Sequence, residues 1–394
     1  MRYIGVVFLT LSLGFGAGAA LADKRPLDCS KRSLAKTVEH AEDTTISFTG
    51  ICDGPILIQT DGVSLVGVGT AIIDGNGQDA VTVEGANNVS LTNIEVRNGA
   101  NGILGLNGAH ISLTDMNVHD NQALGISLQT GSSADLSDVS VSGNGLHGLD
   151  MQTGAAVTIS GTFTSSGNGV FGVNVNGSAL TFSKADATMT GNAVGMQVAT
   201  GANAFLNDPD TALTLSNNLA TGLTIVSGAH LVSFGGTINA TDNPVNGISL
   251  NSKAGLDLDA GSTVDCSGNG DGLQIQQTSE MTVFNIPQFS GVSAFSSVNC
   301  HDNNGNGIVV RNASSLRVSN QAKVISTGNG AGGLIADDGS DIILVNSEIT
   351  GNTDKDLQLS FGSRADLQTS TISSLSCDST VLVRGTNGIT CPQQ

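Results

Sequence analysis

The 394-residue chain carries 34 acidic and 15 basic residues for a formal net charge of −19, and only 12 % of its residues are charged. That balance excludes nucleic acid, anionic lipid or a polyanionic sugar as a directly bound partner, because each would meet repulsion unless a cation bridged the two surfaces. Solubility falls instead to Asn, Ser, Thr, Gln and Gly, a composition that suits a β-rich exported protein.

Residues 1–22 read as a signal peptide: Arg2, an apolar run from Tyr3 to Leu13, then Ala20-Leu21-Ala22 as a small-residue cleavage pattern. Export to a periplasm or the extracellular space, from a bacterial cell, is the expected localisation. No later apolar run is long enough to span a membrane. Residues 23–45 are expected to form an N-terminal cap, in which Leu34, Val38 and Ala41 fall at helical spacing. Residues 46–394 are then a single repeat domain.

The repeat is plainest from residue 102 onward. A Gly precedes an apolar-x-apolar strand at Gly102, Gly125, Gly148, Gly172 and so on to Gly333, with Asp356 in the eleventh place; the intervals run from 23 to 27 residues, with one of 35. A period in this range means a solenoid. The paired apolar residues after each Gly, such as Leu149 and Met151 or Val173 and Val175, alternate with period two, which means strand. Three or four residues before each Gly stands an Asn: Asn121, Asn144, Asn168, Asn192, Asn218, Asn243, Asn269, Asn303, Asn329 and Asn352. With one repeat per coil these amides stack about 4.8 Å apart, each bonding its neighbour and tolerating the left-handed backbone of a sharp corner. Three residues before each Asn runs a small or apolar column, from Val118 and Val141 to Ile349, that faces inward. It places Cys266 and Cys300 on adjacent coils, as a bond or as two buried thiols.

The stretch "LSDVSVSGNGLHGL" also fits a leucine-rich repeat. The match fades elsewhere, because the chain continues into a second alternating strand, a "TGA" or "NGA" turn and a third strand where that repeat places a helix. Few helix formers and abundant Gly-Asn corners favour a right-handed parallel β-helix. Together with "GVGTAIIDGNG" at 67–77, the repeats resemble the right-handed parallel β-helix proteins of the pectin-lyase-like superfamily, over about residues 44 to 390. The resemblance implies an all-β, single right-handed solenoid of about 12 to 13 coils with a short N-terminal capping helix. It also implies a clamp from Cys29 to Cys52 between cap and barrel, and a closure from Cys377 to Cys391 at the far end.

Enzymes of that superfamily act in a groove along one outer sheet, which draws attention to the outward positions of the strand after each Gly. The expected binding residues there are Gln129, Gln152, Asn174, Asn176, Asn251, Gln274 and Gln276, with Ser127, Asp150, Gln197 and Ser249 beside them. The best constellation for acid–base chemistry is His119, Asp120, His147 and Asp150 on consecutive coils, with Arg97 one coil earlier. Against it, "HDN" at 119–121 recurs at 301–303, as a turn motif does. Asp337, Asp338, Asp341, Asp354 and Asp356 are a candidate calcium cluster, though solvated turn carboxylates fit them better. No other metal or cofactor is expected.

The chain has no Trp, and its single Tyr lies in the signal region. Residues 37–310 contain only Arg97, Lys184 and Lys253 as arginine or lysine. The expected role is therefore a non-catalytic binding, scaffold or adhesin function, engaging a glycan or cell-envelope component along a polar flank. The alternative is a polysaccharide-active lyase, hydrolase or epimerase.

Overall fold

The computed structural model describes residues 25–41, 44–285, 295–385 and 391. The expected signal peptide and most of the insertion in the 35-residue coil lie outside them. The described chain is a parallel β-helix with three faces around one core. One face is a sheet of 14 parallel strands, from Ile56–Ile58 to Leu375–Cys377. The other two faces share a 23-stranded sheet. They are joined because many coils carry one long strand bent at a left-handed residue, such as Asn93, Asp115, Asp138 and Lys184, with φ between 51° and 57°. In His110–His119 the buried residues are Ile111 and Leu113, then Met116 and Val118. The inward phase slips by one at Asp115, where the chain turns from one face to the next.

Fourteen coils exceed the 12 to 13 expected. The first coils, at Ile56–Ile58 and Val81–Glu84, and the last, at Leu375–Cys377, lack the Asn-Gly signature; Ile56–Ile58 pairs with Val81–Glu84, which pairs with Ile103–Leu106, and Leu375–Cys377 pairs with Leu357–Leu359.

The asparagine ladder is present at the corner before the 14-stranded sheet. Side-chain amides pass Nδ2–H to the Oδ1 of the next coil from Asn121 to Asn144 (2.9 Å), to Asn168 (3.0 Å), to Asn192 (3.0 Å) and onward to Asn269. The same Oδ1 atoms also accept the backbone N–H of the preceding ladder residue, as Asn192 does from Asn168 at 3.0 Å. The second amide hydrogen reaches a carbonyl one coil back, as from Asn192 to Ser165 (3.0 Å). Asn269 gives its amide to Ala240 and Ser267 instead, and Asn303 still receives its backbone N–H at 2.9 Å. The amides of the ladder are thus paired, as burial requires.

One expectation is corrected. The left-handed residue is not the ladder Asn but the residue before it: Asp120, Gly143, Gly167, Gly191, Asn217, Asp242, Gly268, Asp302, Gly328 and Gly351.

The Gly four residues on is explained by contact. A Cβ on Gly125 would lie 2.7 Å from the Gly148 carbonyl and 2.8 Å from the Asn144 amide nitrogen, so the ladder of the next coil occupies the space a side chain needs. Asp356 can replace Gly because no further ladder Asn follows it. Its Oδ1 accepts from the backbone (3.0 Å) and the amide (2.9 Å) of Asn352, and its Oδ2 accepts from Ser374 Oγ (2.8 Å). It ends the ladder.

Three disulfides are formed, Cys29–Cys52, Cys266–Cys300 and Cys377–Cys391, with Cα atoms 5.0, 4.6 and 5.7 Å apart. Cys266 and Cys300 are a bond, inside the core column and without exposed surface. Three such bonds fit an oxidising, exported setting. The capping helix is short, Leu34–Val38, with Ser33 accepting from Lys36 N at 3.3 Å. Its apolar residues Leu34 and Val38, and Ala41 beyond it, are buried as expected. Among the described residues no helix is long and apolar enough to cross a membrane.

Two outcomes follow. Asp356→Ala takes the acceptor from the Asn352 backbone N–H and leaves its amide only the Ser326 and Thr350 carbonyls, and is expected to lower the unfolding free energy by about 1–3 kcal/mol in denaturant titrations. Burial alone would raise the Asp356 carboxyl, but its hydrogen bonds from Asn352 and Ser374 hold it below the usual range. A lowered folded value means this stabilisation is full above the ordinary carboxylate range and is lost as pH falls through the folded value, so the gap between wild type and variant should close in acid. Second, Gly148→Ala, whose Cβ would meet Gly172 O at 2.6 Å, should cost far more in the same titration than Gly108→Asn, where φ is +78° and nothing lies within 4 Å.

Candidate functional site

The expected catalytic quartet divides into two pairs on different sheets. His119 ends the strand His110–His119 of the 23-stranded sheet, and His147 opens His147–Gln152 of the 14-stranded sheet. The ladder corner separates them, and among the described residues no hydrogen bond or ion pair links the two pairs.

The His147 pair is built into the wall. Asp150 lies on the outer side of its strand, between the inward Leu149 and Met151, yet it has no exposed surface. Its carboxylate accepts from Gln152 Nε2 (2.7 Å) and Asn174 Nδ2 (2.8 Å), and Gln197 Nε2 donates to Asn174 Oδ1 (3.2 Å). His147 stacks on Phe171, ring centroids 5.0 Å apart, and its Nδ1 accepts the Phe171 backbone N–H at 3.3 Å. Burial pushes the imidazole below its ordinary value, partly offset by the Asp150 charge.

The outward amides therefore differ from the open stripe the sequence predicts. Ser127 and Asn174 are buried with Asp150, Gln129 donates to Ser127 Oγ (3.1 Å) and Gln274 to Asp271 (3.2 Å). Asn176, Asn251 and Gln276 stay partly exposed. The cause is the 4.8 Å coil spacing, which lets side chains in neighbouring coils satisfy one another.

The His119 pair belongs to a longer ionic chain. Asp74, Arg97 and His119 are in register on three successive coils. Arg97 bridges Asp74 Oδ2 (Nε, 3.3 Å) and Glu95 Oε1 (Nη1, 2.9 Å). His119 Nε2 is 3.4 Å from the same Glu95 oxygen, and Nδ1 is 2.8 Å from Asp120 Oδ2. Asn98 (2.8 Å) and the Asn76 backbone also bond Asp74. Burial opposes the charged form of Asp74, but these bonds and the guanidinium hold its carboxyl below the usual range. Beside Glu95 lies a shallow groove of about 270 Å³, bordered by Thr70, Asn93, Asp115 and Asn117.

Sequence reasoning found Arg97, His119 and Asp120 but missed Asp74 and Glu95. The signal was there in the columns, but those coils precede the first Asn-Gly corner. The recurring "HDN" is a shared turn, since His301 Nδ1 meets Asp302 at 2.7 Å and both aspartates have φ 53°. Its surroundings differ, for the earlier coil offers only Asp265, at 4.0 Å, and no arginine.

The C-terminal acids serve separate partners. Asp337 pairs with Arg311 (3.1 Å), Asp341 with Arg317 (3.9 Å), and Asp356 ends the ladder. Among the described residues no group of three or more His, Cys, Asp or Glu is arranged to hold a metal ion.

The model of the right-handed β-helix region matches residues 56–210 and 101–270, more than half the chain. The chain belongs to the right-handed β-helix family. No curated protein matches it. Among solved structures it is similar to the A-module of the Azotobacter vinelandii mannuronan C-5 epimerase AlgE6, at 14 % identity over 91 % of this chain and 94 % of that one, with a TM-score of 0.40. A double mutant of the periplasmic alginate epimerase AlgG matches at 11 % identity over 86 % and 84 %, with a TM-score of 0.41. The catalytic domain of a GH87 α-1,3-glucanase matches at 15 % over 79 % of this chain and 57 % of that one, with a TM-score of 0.32.

The His147 environment sets a measurable value. Its imidazole should titrate below the ordinary histidine range in NMR, and Asp150→Asn should move it lower still, because the variant removes the one opposing charge.

Proposed function

We propose that this chain is an exported polysaccharide-active enzyme whose reacting group is Glu95, with His119 as its proton partner. The observation that carries the reading is the chain Asp74, Arg97, Glu95, His119, Asp120, five linked ionisable groups of which Glu95 borders a groove. Such concentration of charge is what acid–base chemistry needs and what a strand face does not. Asp120 accepts from Nδ1–H of His119, and because the Glu95 oxygen already accepts from Arg97, Nε2 of the protonated ring faces it as a donor. Arg97, held between two carboxylates, fixes the Glu95 orientation.

The net charge directs the site to a neutral glycan, and the chemistry to cleavage of its glycosidic bond. The bond breaks as the leaving oxygen takes a proton from His119 Nε2, while water closes the anomeric carbon and gives its proton to the Glu95 carboxylate; that proton then passes from Glu95 to His119 and restores the pair. Asp150 and His147 are not assigned this role, because one has no surface and the other spends Nδ1 on the backbone.

Incubation with neutral polysaccharides should release new reducing ends, and Glu95→Gln should abolish that release, by about a hundredfold or more, without changing the melting temperature by more than a few degrees. Asp150→Asn should keep most of the activity. Glycan binding without release by the wild type would overturn the catalytic assignment in favour of a binding role.

A further inference from the structure

A second patch lies on a different face, formed by outward residues of His230–Phe234. His230, Val232 and Phe234 point out, while Leu231 and Ser233 are fully buried. Phe205 and Asp257 flank Val232 in register on the coils before and after. Phe234 is 42 % exposed, one of ten large apolar side chains exposed among the described residues, and Phe205 beside Val232 is a second, partly exposed phenyl group. His230 reaches Asp257 with Nε2 3.4 Å from Oδ2.

That reach depends on Gly255, which pairs with His230. A Cβ there would lie 2.5 Å from the imidazole Nε2, so the glycine leaves room for the ring to lie across its strand. A strand-interior glycine is a local cost that marks close approach. The coil from Gly195 to Gly222 adds a rim. Its loop at 207–211 is tied by Asp210 N to Asp208 Oδ1 (2.9 Å), and a Cβ on Gly235 would lie 3.1 Å from Pro209. An apolar floor of Phe205, Val232 and Phe234 thus meets a polar edge of His230 and Asp257 under a fixed wall.

We infer that this patch is a second glycan-binding site, taking one ring of a neutral sugar chain. The C–H face of a pyranose stacks on the phenyl groups, and its hydroxyls donate to the Asp257 carboxylate and exchange bonds with His230. The surrounding negative charge excludes anionic ligands, and the span of three strands suits one ring rather than a protein surface. The register from the Glu95 strand through His110 to His230 covers six coils, about 29 Å along the rod. Two sites on separate faces let one molecule hold a polymer at two points, which raises the local concentration of chain at the groove. The inference rests on the preceding reading for the class of ligand and not for turnover.

Calorimetric titration with cellohexaose, laminarihexaose and maltohexaose tests it. At least one should bind, and Phe234→Ala and Asp257→Asn should each weaken that binding about tenfold. Both residues are partly or well exposed, so circular dichroism should show both variants folded; Gly255→Ala, which displaces His230, provides a third arm. Repeated in the Glu95→Gln background, which holds turnover down, the titration should show the same loss from Phe234→Ala. Unchanged affinity in the folded variants, or binding of none of the three sugars, overturns the second site. Release of reducing ends with no effect of Phe234→Ala sinks only this inference, whereas Phe234-dependent binding without turnover sinks only the assignment of Glu95.

Discussion

The whole rod depends on the buried amide ladder at one corner. A solenoid has few long-range constraints, and each coil must register on the next without slipping. The ladder Asn does this with three groups at once: its oxygen accepts a side-chain and a backbone donor, and its amide bonds forward to the next Asn and back to a carbonyl. A one-residue slip would bury unpaired amides, each costing a kilocalorie or more. The neighbouring Gly exists because the next amide fills its side-chain space, and the left-handed residue before the Asn supplies the turn. Asp356 closes the series because a carboxylate accepts without needing to donate onward.

A corner of this kind leaves the three faces free to differ. On the 14-stranded sheet the outward amides and Asp150 have bonded among themselves, giving a wall. On the bent sheet near the N-terminal end, Arg97 has drawn Glu95, Asp74 and His119 together. Midway along another face, Phe234 and His230 point outward from one strand. The same coil spacing that stacks the ladder sets the distances within each of these groups, so architecture and candidate chemistry share one length.

Much of the fold was legible in the residues themselves. Period-two pairs such as Leu149 and Met151, and the Asn columns, determined strand, coil and corner, because every coil repeats the same solution and alignment exposes it. Even the pairing of Cys266 with Cys300 on adjacent coils followed from the column, though whether the thiols joined did not. The terminal coils escaped because they carry no Asn-Gly corner and are defined only by pairing with their neighbours.

The site was less legible. Sequence spacing put His119 and His147 on adjacent coils flanking the ladder but could not show whether their side chains meet across it, since that is set by how sharply the chain bends. It marked Asp150 as outward without showing that Gln152 and Asn174 close over it. By itself the sequence determined the winding, the inward column and the ladder, since these are periodic and local. Only the tertiary structure decided which outward groups meet, because contacts between coils join residues some 23 or more apart through a register that no single repeat contains.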